Sequence, residues 1–194
     1  MKYHPEALGP IVAFLRDIGF GVEFGPGAQN GFLPGVNIHA GVIHVDPDRL
    51  VAPGDLLHEA GHMAVLPRRF RSGLGSDLDA DMHHLIEAEA GPGIPDDPIL
   101  AAPKQQGEFM AQAWSYAAAL HIGVSPDCIF FPGSYKHHDY EGKHPMLAWI
   151  ERGTHYGPPA LARVGMTGPA GVFAMMGGGN GLLPFPAMAR WVQD

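Results

Sequence analysis

Residues 58–62 read His-Glu-Ala-Gly-His. In a helix, positions i and i+4 lie one above the other on the same face, so His58 and His62 can grip a single metal ion. Glu59 then points to the side, where its carboxylate reaches a metal-activated water without ligating. The flanking residues Leu56, Leu57, Met63, Ala64 and Val65 are apolar, which predicts a buried helix. Two histidines inside a buried helix need polar partners, and a metal supplies them. Gly61 permits close approach of another backbone. The bland alternative is a pair of ordinary surface histidines, since so short a pattern also arises by chance.

A catalytic site of this kind needs a third protein ligand and an open position. The acidic residues closest in sequence are Asp79, Asp81, Glu87 and Glu89, on a predicted helix that also carries His83 and His84. Charge runs of this kind usually face water, and that reading is preferred here. A hydrolytic site also needs an oxyanion donor. Tyr135, His137, His138, Tyr140, His144, His155 and Tyr156 crowd one segment, which suggests that this stretch covers the site. Among them His155 and Tyr156 are chosen, because Gly153 and Gly157 bracket them on a loop.

Residues 42–66, VIHVDPDRLVAPGDLLHEAGHMAVL, resemble the strand-plus-active-helix unit of the zincin metallopeptidases. The metzincin branch would place a third histidine six residues after His62, and Arg68 stands there. Glu108-x-x-Ala111-x-x-Trp114 resembles the E-x-x-A-x-x-[FW] signature of ImmA/IrrE-type peptidases, which are gluzincin-like. That resemblance implies Glu108 as third zinc ligand, a small residue at Ala111 that lets two helices pack closely, and an oxyanion donor from the segment that follows. It is confined to these two stretches. The Pro- and Gly-rich stretch between the ligands departs from that group, and no DNA-binding helix pair is read, so repressor cleavage is not expected.

Other residues invite chemistry and are assigned structure instead. His39 and His44 alternate on a hairpin and are expected to pair across strands. Trp114 and Tyr116 fit a helix core better than a pocket wall. Cys128 reads as a small buried residue beside Phe130. Gly177-Gly178-Gly179-Asn180-Gly181 lacks the Lys-Ser/Thr of a phosphate loop and is taken as a hinge or tail.

The elements that must position these residues follow from periodicity and punctuation. Leu8, Ile11, Val12, Leu15 and Ile18 mark an amphipathic helix over 5–18, ended by Gly19. Phe20–Phe24 reads as a strand. Val36–His39 and Val42–Val45 form a hairpin around Ala40-Gly41, an edge strand of which can hold an extended peptide by strand addition. Helices are predicted over 56–66, 79–90 and 108–121, with Asp55 as cap of the first and Gly123 as stop of the last. Residues 91–103 are expected to be irregular. Ile129–Phe131 reads as a strand, 146–152 and 160–164 as short helices, and 185–192 as a terminal helix.

The 194 residues suit one domain. It is read as a single zincin-like unit over 1–194, with an irregular Gly/Pro-rich insertion near 67–107 and a loop-rich segment over 122–194. The 27 glycines and 19 prolines are roughly twice average usage. A net charge of −8 argues against nucleic acid, because phosphate contacts need clustered Lys and Arg. One cysteine excludes an internal disulfide framework and suits a cytoplasmic setting. Neither a signal peptide nor a membrane span is read. The expected fold is α+β, a small twisted sheet packed on the metal helix and on a second ligand-bearing helix. The expected function is a zinc-dependent hydrolase, one Zn2+ per chain, acting on a peptide or protein with Glu59 as base; iron or manganese suit the same ligands. The alternatives are a non-catalytic metal-binding or regulatory module, favoured by a closed fourth position, and a hydrolase of small amides, favoured by a deep closed pocket.

Overall fold

A computed structural model of the chain describes residues 1–139, 142–171, 174 and 180–194, with the side chain of Asn30 set aside. The fold is mixed α+β. Helix α1 (Leu8–Asp17) leads into strand β1 (Gly21–Phe24), followed by β2 (Val36–His39) and β3 (Val42–Val45). The sheet order is β1-β3-β2, with β1 parallel and β2 antiparallel to the central β3. The hairpin turn places Ala40 at φ 49° and Gly41 at φ 76°. Two successive left-handed residues make the turn whose twist matches antiparallel strands. Val22, Val36, Ile38, Ile43 and Val45 are buried on one face. On the other, Glu23 and His44 are register partners, with Glu23 Oε2 and His44 Nδ1 3.7 Å apart.

Helix α2 (Gly54–Val65) follows the sheet, and every residue in it is buried except Glu59, which is half-buried. Helix α3 (Leu78–Ala90) is capped by Asp77, whose Oδ1 accepts from the Ala80 N–H. Helix α4 (Pro98–Ile122) is the longest and carries Trp114 at the centre of the core. Two short helices, α5 (Pro145–Glu151) and α6 (Gly157–Arg163), complete the set. Gly157 lets α6 lie on α4: a Cβ there would stand 2.0 Å from the Phe109 carbonyl oxygen. No helix among the described residues is long and apolar enough to cross a membrane.

Three expected elements differ. The irregular stretch ends at Asp97 and not at Pro103. Asp97 Oδ1 accepts from the Ile99 N–H, and Pro98 at the first helical position needs no partner. The helix runs on through Pro103 and breaks at Gln106 (φ −139°, ψ 22°). Pro103 lacks the N–H that would continue the ladder, and Glu108 starts the regular half. Ile129–Phe131 is not a strand; the Ile129 and Phe130 amides close onto the Pro126 carbonyl as a tight turn, with both side chains buried. The segment 185–192 is not a helix. Pro184 and Pro186 withhold donors, and its backbone pairs outward instead, the Ala189 N–H with Met166 O and the Gln193 N–H with Ala64 O. The proposed hinge at 177–179 and Tyr140 lie outside the described residues.

Candidate metal centre

Helices α2 and α4 pack side by side because small residues face each other. A Cβ on Gly61 would meet the Ala111 carbonyl at 2.9 Å. One turn further along α4, the buried Ser115 hydroxyl is 3.0 Å from the Leu57 carbonyl and 2.6 Å from that of Ala111. This seam brings the α2 histidines against Glu108. His58 Nε2 and His62 Nε2 are 3.3 Å apart, and Glu108 Oε2 lies 3.6 Å from the first and 3.1 Å from the second. Atoms bound tetrahedrally at about 2.0–2.1 Å from one ion stand about 3.3 Å from each other. The three atoms therefore fit the edges of a zinc-sized tetrahedron. Among the described residues they are the one group of three or more His, Cys, Asp or Glu side chains spaced to share an ion.

Burial pushes His58 down to about 4, with Glu108 opposing and His62 assisting, so its imidazole is neutral. His62 is also buried, but the hydrogen bond and charge of Glu108 outweigh that and hold it raised. Burial alone would lift Glu108; the His62 hydrogen bond, the two histidines and the Gln112 amide bring it down to about 2. Burial raises Glu59 to about 7, within the range that suits a general base.

The ligand atoms are held from behind. His58 Nδ1 lies 3.0 Å from the Tyr135 hydroxyl; a metal on Nε2 would leave the imidazole proton on Nδ1, to be donated to that hydroxyl. Tyr135 stands at φ 52° and Lys136 at φ 58°, two consecutive non-glycine residues in the left-handed region, at a cost typical of functional loops. On the other side a one-way chain reaches Glu108. The Gly157 N–H donates to His155 Nδ1 at 3.1 Å, which leaves the His155 proton on Nε2. That proton goes to Gln112 Oε1 at 2.9 Å. Gln112 Nε2 then donates to Glu108 Oε1 at 2.8 Å, and Oε2 is left for the histidines. Gln112 and His155 are 2% and 3% exposed. Sequence reasoning passed over Gln112, although its place one turn after Glu108 on the same face was the available signal.

The chosen polar aromatics separate. His155 is joined to the centre through Gln112 and lines neither cavity beside it; Tyr156 is 65% exposed, packs on Phe109, and also lines neither. Tyr135 and His137 line the larger cavity. His144 is buried and spent on the Ser134 carbonyl and the Met146 N–H. Of the α3 acids, Glu87 pairs with Lys104 and Glu89 with Arg69, whereas Asp79 lines the smaller cavity beside His62. Asp81 accepts from the Gly75 N–H. Cys128 is buried, its thiol pushed up to about 12 by burial. Cavities of about 620 and 580 Å3 open at the cluster, and both touch His58, Glu59 and Glu108. Compared with family models, curated proteins and solved structures, the chain matches none of them.

Proposed function

We propose that this chain is a zinc-dependent hydrolase of zincin-like, gluzincin-type architecture that cleaves amide bonds, most simply peptide bonds. The observation that carries the reading is the convergence of His58, His62 and Glu108 on one point, with Glu59 beside them and open space in front. Zinc in a three-ligand site supplies a Lewis acid for the carbonyl and an acidified water. Glu59 takes the proton from the attacking water and returns it to the leaving nitrogen, as its position one residue after His58 and its raised pKa suit. Tyr135 accepts from His58 and keeps its own hydroxyl proton, because burial holds its pKa well above the ordinary value. That proton is available to a developing oxyanion. The open cavities favour turnover over a closed structural site.

The test is metal content by mass spectrometry for wild type, Glu108→Ala and Glu89→Ala after zinc is supplied, together with digestion of an unfolded protein substrate. One zinc per chain, lost in Glu108→Ala and kept in Glu89→Ala, with wild-type digestion, is expected. Wild type that takes up no metal overturns the reading. Metal without digestion of any peptide or amide favours the binding module.

A further inference from the structure

The two cavities differ in chemistry. The larger lies toward the N-terminal end of α2, and its walls are largely apolar, with Phe32, Leu33, Val51, Phe109, Phe131 and Met146 among them. Its volume of about 620 Å3 is that of a site which buries a sizeable ligand group. The smaller lies toward the C-terminal end of α2 and is edged by Ser76, Asp77 and Asp79. Among the described residues no Lys or Arg lines it. His62 also lines it, and His62 Nδ1 is buried with no hydrogen-bond partner among the described residues. Phe32 borders both lobes and is 83% exposed. A phenyl ring left in water at the junction gains nothing from the fold itself. A ligand crossing the junction would cover it.

We infer, resting on the hydrolase reading, that the substrate is an amide with a large apolar group on one side of the scissile bond and a cationic group on the other. The apolar group fills the larger lobe against Phe131, Val51 and Phe32. The cationic group lies over Asp77 and Asp79. An anionic group is disfavoured at the smaller lobe, which two aspartates edge, and gains little in the larger, whose walls are mostly apolar with Lys136 at one side. In a peptide this means a Phe-, Leu- or Met-sized residue next to Lys or Arg.

Two measurements on the full chain loaded with zinc test this. Calorimetry compares acetohydroxamate, 3-phenylpropionohydroxamate and the anionic succinate monohydroxamate. The phenyl compound should bind at least tenfold tighter than the acetyl one, and the anionic compound no tighter. Phe32→Ser, which removes an exposed ring and leaves the core intact, should erase most of the phenyl advantage. Cleavage sites in a mixed peptide library, mapped by mass spectrometry, should show the apolar–basic pair, and Asp77→Asn with Asp79→Asn should remove the basic preference among the sites still cut while the apolar one persists. Equal affinity for the three probes, tightest binding of the anion, or cleavage without this pairing overturns the substrate class while the hydrolase stands. Failure to bind zinc or any hydroxamate overturns both.

Discussion

Gly61 on α2 and Ala111 on α4 are in backbone contact: a methyl group on Gly61 would stand 2.9 Å from the Ala111 carbonyl oxygen and 3.2 Å from its Cβ. No flexible side chain is there to yield, so Gly61→Ala must push the helices apart. Overpacking of this kind costs about 1–3 kcal/mol. The same displacement separates His62 from Glu108, now 3.1 Å apart. We expect a lower melting temperature and, in protein that remains folded, zinc affinity reduced at least tenfold, read by chelator competition. Unchanged affinity in folded Gly61→Ala would show that the seam does not set the ligand spacing.

Gln112 fixes which oxygen of Glu108 faces the histidines. Gln112→Leu fills similar space but withdraws the donor to Oε1, and leaves His155 Nε2 without its acceptor. Loss of such a partner behind a metal ligand typically lowers affinity about 10–100-fold. His155→Phe should weaken zinc in the same direction, because the Gln112 amide is then free to turn. His155→Gln, which can still donate, should recover part of the loss. Thermal unfolding of the metal-free forms separates this from simple destabilisation: the Gln and Phe variants need only differ in affinity.

Much of this arrangement was legible in the residues, and what was not has a physical reason. His58, Glu59 and His62 follow from one helical turn, and the hairpin from Ala40-Gly41 between β-branched runs. Gly61 and Ala111 each read as a point of close approach, but that the two meet each other depends on which helices pack, which local periodicity does not state. Tyr135 reaches His58 only because two left-handed residues turn the loop inward, a geometry that Tyr and Lys do not advertise. Gln112 is silent because an amide in a helix reads as surface until its partners are known. The segment 185–192 has helical spacing of apolar residues, yet the Trp114 indole N–H donates to the Trp191 carbonyl, and pairing with Met166 and Ala64 wins over local hydrogen bonds.

Glu59→Gln keeps the size of the side chain and removes the base. Glu59 is not among the three converging atoms, so zinc content should stay at the wild-type level. Turnover should fall by about 10²–10⁴-fold, measured as initial rates of peptide cleavage. Loss of zinc together with activity would make Glu59 a ligand and reassign the carboxylates.

Asp55 gives a pH signature independent of turnover. It is 8% exposed, and burial, with Glu59 adding to it, raises its carboxyl to about 7. An unfolded Asp titrates near 3.9. Between these values the unfolded chain releases a proton that the folded chain keeps, so the stability contribution is fully present below about pH 4. It is lost as pH rises to about 7 and stays lost above. Glu59 acts in the same direction, whereas Glu108 and His155, with lowered values, act oppositely. The difference between wild type and Asp55→Asn in metal-free protein isolates the aspartate. Asp55→Asn should gain stability relative to wild type as pH rises from 4 to 7, by on the order of a few kcal/mol. Urea unfolding across that range measures it; a difference that is flat with pH would mean that Asp55 is ionised in the folded chain.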